Sequence, residues 1–481
     1  MGYRNLQEFI NRLEQAWELV RIKEPVSPHL EITEITDRVC KQGGPALLFE
    51  EAAPYGMPVL MNAFGSLKRM RLALEVQSLD DIAVDLLSFL EAEADTLMKK
   101  LKLLPKLARL GRMFPKVVSR APCQEVVYQG EDVDLGQFPV LTCWPGDGGP
   151  FITLPVVITL HPETGRRNVG MYRLQVYDAR TTGMHWHAHK GGAQHYRVAE
   201  ARGEPLPVAV ALGPDPAVTY AATAPLPEDI DEILFAGFLR GEPVELVPCI
   251  TQPLAVPAES QIVLEGFVAP RERRREGPFG DHTGYYSLAD DYPVLHLTAI
   301  TRRREAVYPA TIVGRPPMED CFMAKATERI FLPLIQRQLP EIVDLNLPVE
   351  GVFHNLAFVS IDKRYPGHAR KVMHALWGLG QMMFTKIILV FDKEVDVQDL
   401  SQVLWRLGNN VDPKRDTVIT EGPVDALDHA APLPHYGSKM GIDATRKWRE
   451  EGFTRPWPEV IVMSPEVKDK VDELWPRLGL K

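Results

Sequence analysis

The first apolar stripe along the chain sets Leu6, Phe9, Ile10, Leu13, Trp17 and Val20 three and four residues apart, the spacing of one buried helix face. VRIKEPV and PALLFEEA then read as short strands, separated by a helical EITEITDRVCKQGG that Gly43 and Gly44 stop. From Asp80 to about Leu110 the pattern is helical and Leu-rich, basic towards its end and interrupted at Pro105, as for a core helix with a solvated Lys/Arg face. Near Ala121 the texture changes. EVVYQG, FITLPVVITL, NVGMYRLQVYD, PVAVALG, SQIVLEGFV and PVLHLTAITRR are short, β-branched and bounded by turn residues, so they predict an antiparallel barrel-like β domain, interrupted by one helix, PEDIDEILFAGFLRG. Beyond Ala310, helical ATERIFLPLIQRQLP, PGHARKVMHALWGLGQMMF and DLSQVLWRLGNN alternate with LAFVSI and KIILVFD, strands apolar enough to be covered on both faces. The tail PEVKDKVDELWPRLGLK spaces Val467, Val471, Leu474 and Leu478 for a last amphipathic helix suited to clasping a second subunit. The expected class is therefore α+β multidomain. Residues 1–118 form an N-terminal α/β domain, 119–310 the β-barrel domain, 311–455 a C-terminal α/β domain, and 456–481 an oligomerisation helix.

Composition agrees with this division. At about 150 residues per domain, 481 residues give roughly three, and 45% hydrophobic with 25% charged residues is a globular, not a disordered, make-up. The net charge of −10, from 54 basic and 64 acidic side chains, disfavours long contact with nucleic acid. The 5 cysteines (Cys40, Cys123, Cys143, Cys249, Cys321) are scattered and odd in number, which argues against a disulfide framework or thiolate zinc site and for a reducing cytoplasm. No apolar run approaches the ~18 residues of a membrane span, and the first residues lack the apolar core of a signal peptide.

The densest chemical signal is NVGMYRLQVYDARTTGMHWHAHKGG. Two strand-like stretches flank a turn over Asp178–Gly183, and His185, His187 and His189 alternate, which puts three imidazoles on one face of the second strand. An ideal turn centred on residues 180 and 181 pairs Tyr172 with His189 and leaves Asn168 four residues away. Asn168 and His189 offer an oxygen and a nitrogen to a manganese- or magnesium-like cation, and Glu228, Asp229, Asp231 or Glu232 could add a carboxylate. Acidic residues there are also what a helix N-terminus favours. In EGPFGDHTG, Glu276 and Asp281 lie five apart in a bent loop, where crowding would separate their pKa values into a donor and a base. Arg271, Arg273, Arg274 and Arg275 read as a solvated loop, and Lys386 and Lys439 as candidate phosphate contacts outside any P-loop spacing.

These residues, taken with EILFAGFLRG, VPAESQIVLEG, EGPFGDHTGYY, GRPPMED, PGHARKVM and GSKMGIDATRKW in that order, resemble the UbiD family of reversible aromatic and α,β-unsaturated acid decarboxylases over nearly the whole chain. The resemblance implies a flavin-reductase-like split β-barrel as the central cofactor domain and a terminal helix exchanged between subunits of a dimer or hexamer. It implies prenylated FMN, made by a partner flavin prenyltransferase, with manganese (Mn2+) on Asn168, His189 and Glu232, and potassium (K+) on Glu232 and backbone oxygens near Ala221, Ala222 and Ala224. Flavin contacts carry over to Met171, Tyr172, Arg173, His185, Trp186, His187, Lys190, Gly191 and Lys386. The implied catalytic trio is Arg173, Glu276 and Asp281, acting on a covalent adduct of substrate and cofactor. At His185 many quinone-pathway relatives carry Arg, which leaves its role open. The implied activity is decarboxylation of a phenolic or naphthoic precursor of ubiquinone or menaquinone. An FMN-dependent oxidoreductase on the same barrel and a noncatalytic quinone-biosynthesis scaffold are the competing readings. Loops near 315–330 and 430–440, with Met323, His435 and Tyr436, are expected to line the pocket.

Overall fold

The computed structural model describes residues 2–90, 111, 113–187, 190–227 and 230–480. Its first helix, Leu6–Gln15, starts where the Asn5 side chain accepts a hydrogen bond from the Glu8 N–H at 3.1 Å, an N-cap that satisfies one orphan donor. Leu6, Phe9, Ile10 and Leu13 are buried as their spacing predicts, each contributing about 1.5–3 kcal/mol of apolar burial. The stripe ends there: Trp17 takes a left-handed φ of 60° and is 92% exposed, and Val20 lies in the next strand, Leu19–Ile22. Helix Glu31–Lys41 and strand Ala46–Ala52 stand where the pattern puts them. The Asp80 helix is seen as Leu79–Leu90, and its expected continuation through Pro105 to Leu110 lies outside the described residues.

The central sheet runs Thr181–Gly183, Asp290–Arg302, Ile262–Glu276, Leu206–Leu212, Pro155–Leu160, Arg167–Met171, with every neighbouring pair antiparallel. Val126–Gln129 also pairs with the long Asp290–Arg302 strand. Among the described residues no ladder joins the two end strands, so the domain expected as a split β-barrel is seen as an open sheet. Strand Ile262–Glu276 shifts register against Asp290–Arg302 at Glu265/Gly266 and at Val268/Arg273. Gly266 is required at the first: a Cβ there would lie 2.0 Å from the His296 carbonyl oxygen. Arg271 to Arg275 belong to this strand, not to a loop, and Arg273 and Arg274 pair with Glu200 and Asp178.

The C-terminal sheet has order Ile342–Asn346, Leu356–Ile361, Ile387–Asp392, Tyr436–Asp443, Thr417–Pro423, parallel in its centre and antiparallel at both edges. Along Leu356–Ile361, Ala357, Val359 and Ile361 face helix His368–Trp377, while Phe358 packs with Val403 of helix Leu400–Asn410. That alternation is why both central strands read as unbroken apolar runs. Helix Glu319–Gln338 joins this unit to the core beneath the central sheet, through Leu332 on one side and Ile330 and Phe331 on the other. Helix Pro465–Leu474 buries none of its residues, and Ile461 just before it is fully exposed. No helix among the described residues is long and apolar enough to cross a membrane.

Candidate active site

Strand Arg167–Met171 runs into the site along its sheet neighbour, with Asn168 opposite Thr159 and Met171 opposite Val156. After Met171 the chain leaves this sheet and re-pairs at Leu174–Gln175 with Phe151–Ile152, which turns Arg173 inward. The predicted hairpin is present but tighter. Val176 bridges Thr182, and the Tyr177 N–H donates to the Thr181 carbonyl. Its second strand stops at Gly183, short of the strand expected to carry the three histidines. His189 itself lies outside the described residues. His185 and His187 nevertheless meet, Nε2 to Nε2 at 2.7 Å.

Arg173 is the centre of the site. Its Nε donates to Glu276 Oε1 at 3.1 Å, its Nη1 to Asp281 Oδ2, and its Nη2 to Ser287 Oγ at 3.1 Å. The guanidinium lies 4.5 Å above the Phe279 ring. Two carboxylates five apart in sequence are thus tied to one cation, not arranged as a surface turn. Glu276 is 1% exposed and Asp281 5%. Burial alone would raise both carboxyls, yet His185 and Arg173 hold Glu276 below its usual value, and His282 and Arg173 hold Asp281 far below. His185 Nδ1 stands 2.7 Å from Glu276 Oε2. Burial, then the nearby Arg173 charge, lowers the His185 pKa, so a neutral ring donates from Nδ1 to Glu276 and accepts at Nε2 from His187.

These groups open onto a cavity of about 230 Å³. Met171, Tyr172, Arg173, His185, His187 and Lys190 line one side. Phe279, Asp281 and His282 line another, with Thr311, Val313 and Leu427 closing it. The Lys190 side chain is largely buried, and its ammonium has no salt-bridge partner among the described residues; burial lowers its pKa, while Asp425 acts in the opposite sense. Trp186 turns away from the cavity to pack on Tyr172 and Tyr196, and its Nε1 is buried without an acceptor. Gly191 begins helix Gly191–Arg202 hard against Asn168: a Cβ there would sit 2.0 Å from the Asn168 Oδ1.

Among the four acidic candidates, Asp231 caps helix Glu232–Arg240 by accepting from the Ile233 N–H and pairs with Arg167, both at 2.8 Å. Glu232 instead accepts from the Val169 N–H at 3.0 Å, beside Asn168, and burial pushes its carboxyl up to about 7. Glu228 and Asp229 lie outside the described residues. The Ala222 carbonyl accepts from the Met171 N–H at 3.1 Å, which brings the end of helix Pro216–Ala221 to the same strand. Among the described residues no three His, Cys, Asp or Glu side chains are grouped to hold a metal ion.

Other sequence candidates stand elsewhere. Lys386 pairs with Asp428 at 2.8 Å. Lys439 donates to the Met383 and Thr385 carbonyls, a structural contact in which burial lowers its pKa to about 8. Met323 is buried in the core, and Tyr436 is exposed with its hydroxyl on Glu421. Sequence reading missed Phe279, Ser287, His282 and Leu427. The first three lie inside or just after the EGPFGDHTG motif, so treating its whole length as site wall would have found them.

Three family models match the chain: the N-terminal domain of 3-octaprenyl-4-hydroxybenzoate carboxy-lyase (UbiD) over residues 10–86, its Rift-related domain over 116–316, and its C-terminal domain over 321–444. An uncharacterized protein of Archaeoglobus fulgidus is 54% identical over 477 residues, covering 99% of this chain and 98% of the relative. The closed form of Sedimentibacter hydroxybenzoicus vanillic acid decarboxylase superposes with a TM-score of 0.86 at 30% identity, over the whole of both chains. An evolved dimeric form of the UbiD-class enzyme HmfF from Pelotomaculum thermopropionicum, in complex with prFMN, superposes with a TM-score of 0.78 at 28% identity, covering 97% of this chain and 98% of that one.

Proposed function

Since this chain belongs to the UbiD family of carboxy-lyases, we propose that it decarboxylates an aromatic acid, of phenolic or naphthoic quinone-precursor type, with prenylated FMN as cofactor. The observation that carries the reading is Arg173, which joins Glu276 and Asp281 at the wall of a cavity that Met171, Tyr172 and Lys190 also line. That one structural neighbour acts on vanillic acid and another binds prFMN supports it.

The residues fit the cofactor. A largely buried Lys190 ammonium with no salt-bridge partner among the described residues suits a phosphate. A desolvated Glu232 carboxylate beside Asn168 suits a divalent cation. Asn168, His189 and Glu232 would hold manganese, and Glu232 with the Ala221–Ala224 carbonyls potassium. When bound, the prenylated flavin supplies the electron sink for the carbon that loses carbon dioxide.

The chain's own residues do the rest. Arg173, fixed by three hydrogen-bond partners and Phe279, orients the substrate carboxylate. Glu276, held by Arg173 and His185, keeps the guanidinium in place and serves as the second acid–base group. Asp281 delivers a proton to the carbon that carried the carboxylate. Phe279, Val313 and Leu427 keep water from the reacting carbon. The C-terminal helix, a homo-oligomer and a flavin prenyltransferase partner belong to the same reading.

The test is co-expression with a flavin prenyltransferase, anaerobic purification and mass spectrometry of the released cofactor, followed by carbon dioxide release from a panel of aromatic acids. Prenylated FMN with turnover supports the reading. Plain FMN with NAD(P)H oxidation would favour an oxidoreductase, and correct folding with no flavin a scaffold.

A further inference from the structure

Asp281 is the group the proposed reaction asks for a proton, yet it sits against Arg173 and is ionised at neutral pH. The proton must stand elsewhere. His282 Nδ1 lies 2.9 Å from Asp281 Oδ1, and its Nε2 lies 2.8 Å from Nε2 of His354, a residue of the C-terminal unit 72 positions later. Two facing imidazole nitrogens share one proton, so one ring donates and the other accepts. His354 Nδ1 is buried with no hydrogen-bond partner among the described residues. Asp425 and Asp428 lie close enough for their charges to act on the His354 ring. With Asp281 holding a proton on His282 Nδ1, His282 donates from Nε2, so a neutral His354 accepts at Nε2 and carries its own proton on Nδ1.

The backbone is committed to this contact. Val352 and Phe353, immediately before His354, both adopt left-handed φ values, 47° and 50°. Such values are costly for a β-branched and an aromatic residue. The turn they make lays the Phe353 ring on His282, centroids 5.3 Å apart, and brings His354 to the far nitrogen of the same ring.

We propose that the standing proton of the reaction resides on His282, held there by His354 as acceptor, and reaches the substrate through Asp281. His282 is a proton-supplying residue acting through Asp281, and His354 is the positioning residue that a second domain contributes. The idea rests on the decarboxylase reading. In the step itself the carbon–carboxylate bond breaks to release carbon dioxide, and a C–H bond forms with a proton from Asp281. Asp281 takes that proton from His282 Nδ1, leaving a neutral His282 whose Nε2–H still faces His354. Water then returns a proton to Nδ1, so the sum is a carboxylate plus a proton giving R–H and carbon dioxide.

The groups facing His282 agree. Asp281 from its own loop, Asp320 from the N-terminus of helix Glu319–Gln338 and Asp425 from the 424–435 segment all favour its imidazolium, and together they outweigh burial and raise its pKa. His354 faces His282, Asp281, Asp425 and Asp428; burial and then the His282 charge lower its pKa to about 4, so it is the neutral partner.

Two measurements test the proposal. Neutron diffraction from deuterated crystals of the full chain at neutral pD should place deuterium on both nitrogens of His282 and on Nδ1 alone of His354. A neutral His282, or deuterium on His354 Nε2, would overturn it whatever the substrate. In the holoenzyme, His354→Phe should lower kcat about tenfold at pH 8, move the alkaline limb of the pH–rate profile to lower pH and leave KM within about twofold. His354→Gln, whose amide oxygen can accept from His282, should restore most of the rate. An unmoved pH profile in a folded His354→Phe enzyme would overturn the proposal. A wild-type holoenzyme that decarboxylates nothing would overturn the decarboxylase reading instead, while the neutron map still locates the proton.

Discussion

The His185 Nδ1 stands 2.7 Å from Glu276 Oε2, while Arg173 takes the other oxygen of the same carboxylate. Both oxygens of a carboxylate that is 1% exposed are therefore occupied, one by a cation and one by a neutral ring. His185 is thus a fixed support of Glu276.

Glu276→Gln keeps a side-chain oxygen for Arg173 but cannot exchange a proton in the working range. Turnover should fall by about 10²-fold or more, with flavin occupancy by absorbance unchanged. Loss of flavin with full activity in the remaining holoenzyme would remove Glu276 from the acid–base machinery.

Arg173→Ala leaves two buried carboxylates without their cation, a loss of about 3–5 kcal/mol at neutral pH, measurable by urea unfolding. Both folded carboxyls lie below their usual values. The stability they contribute is therefore present above the unfolded-state pKa of about 4 and is lost as pH falls through the folded values. Because burial raises both carboxyls once Arg173 is gone, the gap between wild type and variant should be larger at pH 7 than at pH 4, shrinking as the variant's carboxyls take up protons. A gap that does not change with pH would mean lost packing alone.

Lys190→Met replaces a buried ammonium with an apolar chain of similar length. Cofactor-free protein should melt a few degrees higher, since an unpaired buried charge is costly, while flavin retention on gel filtration falls. Unchanged flavin retention would take Lys190 out of phosphate binding.

Glu232→Gln and His189→Ala should each lower manganese and flavin content together, read by elemental analysis and absorbance of the purified holoenzyme. Normal manganese in either variant would strike that residue from the metal set.

Deleting the chain from Pro465 onward removes Val467, Val471, Leu474 and Leu478, each more than a third exposed in the single chain. The oligomer should weaken, shown by a lower mass in light scattering at micromolar concentration. An unaltered mass would refute the clasp.

Much of this molecule is legible locally. A helix face repeats every three or four residues and a strand face every two, so Leu6–Leu13, the strands of the central sheet and the two-faced Leu356–Ile361 strand announce themselves. The stripe misleads at Trp17, because a left-handed residue ends the helix and periodicity carries no information about φ. Alternation likewise put His185, His187 and His189 on a strand, whereas the second strand of the hairpin ends at Gly183.

The sequence by itself determined the order of elements and the family through its run of motifs, since these depend on residue type and near-neighbour spacing. Only the tertiary structure decided that the central sheet stays open and that Lys386 meets Asp428. It alone joined Arg173 to partners 103 and 108 residues away, and His282 to His354. The physical reason is range. Periodicity reports how a segment meets its own backbone and one buried face, while a bridging guanidinium or a shared imidazole proton depends on how distant loops are brought together by cores they do not belong to.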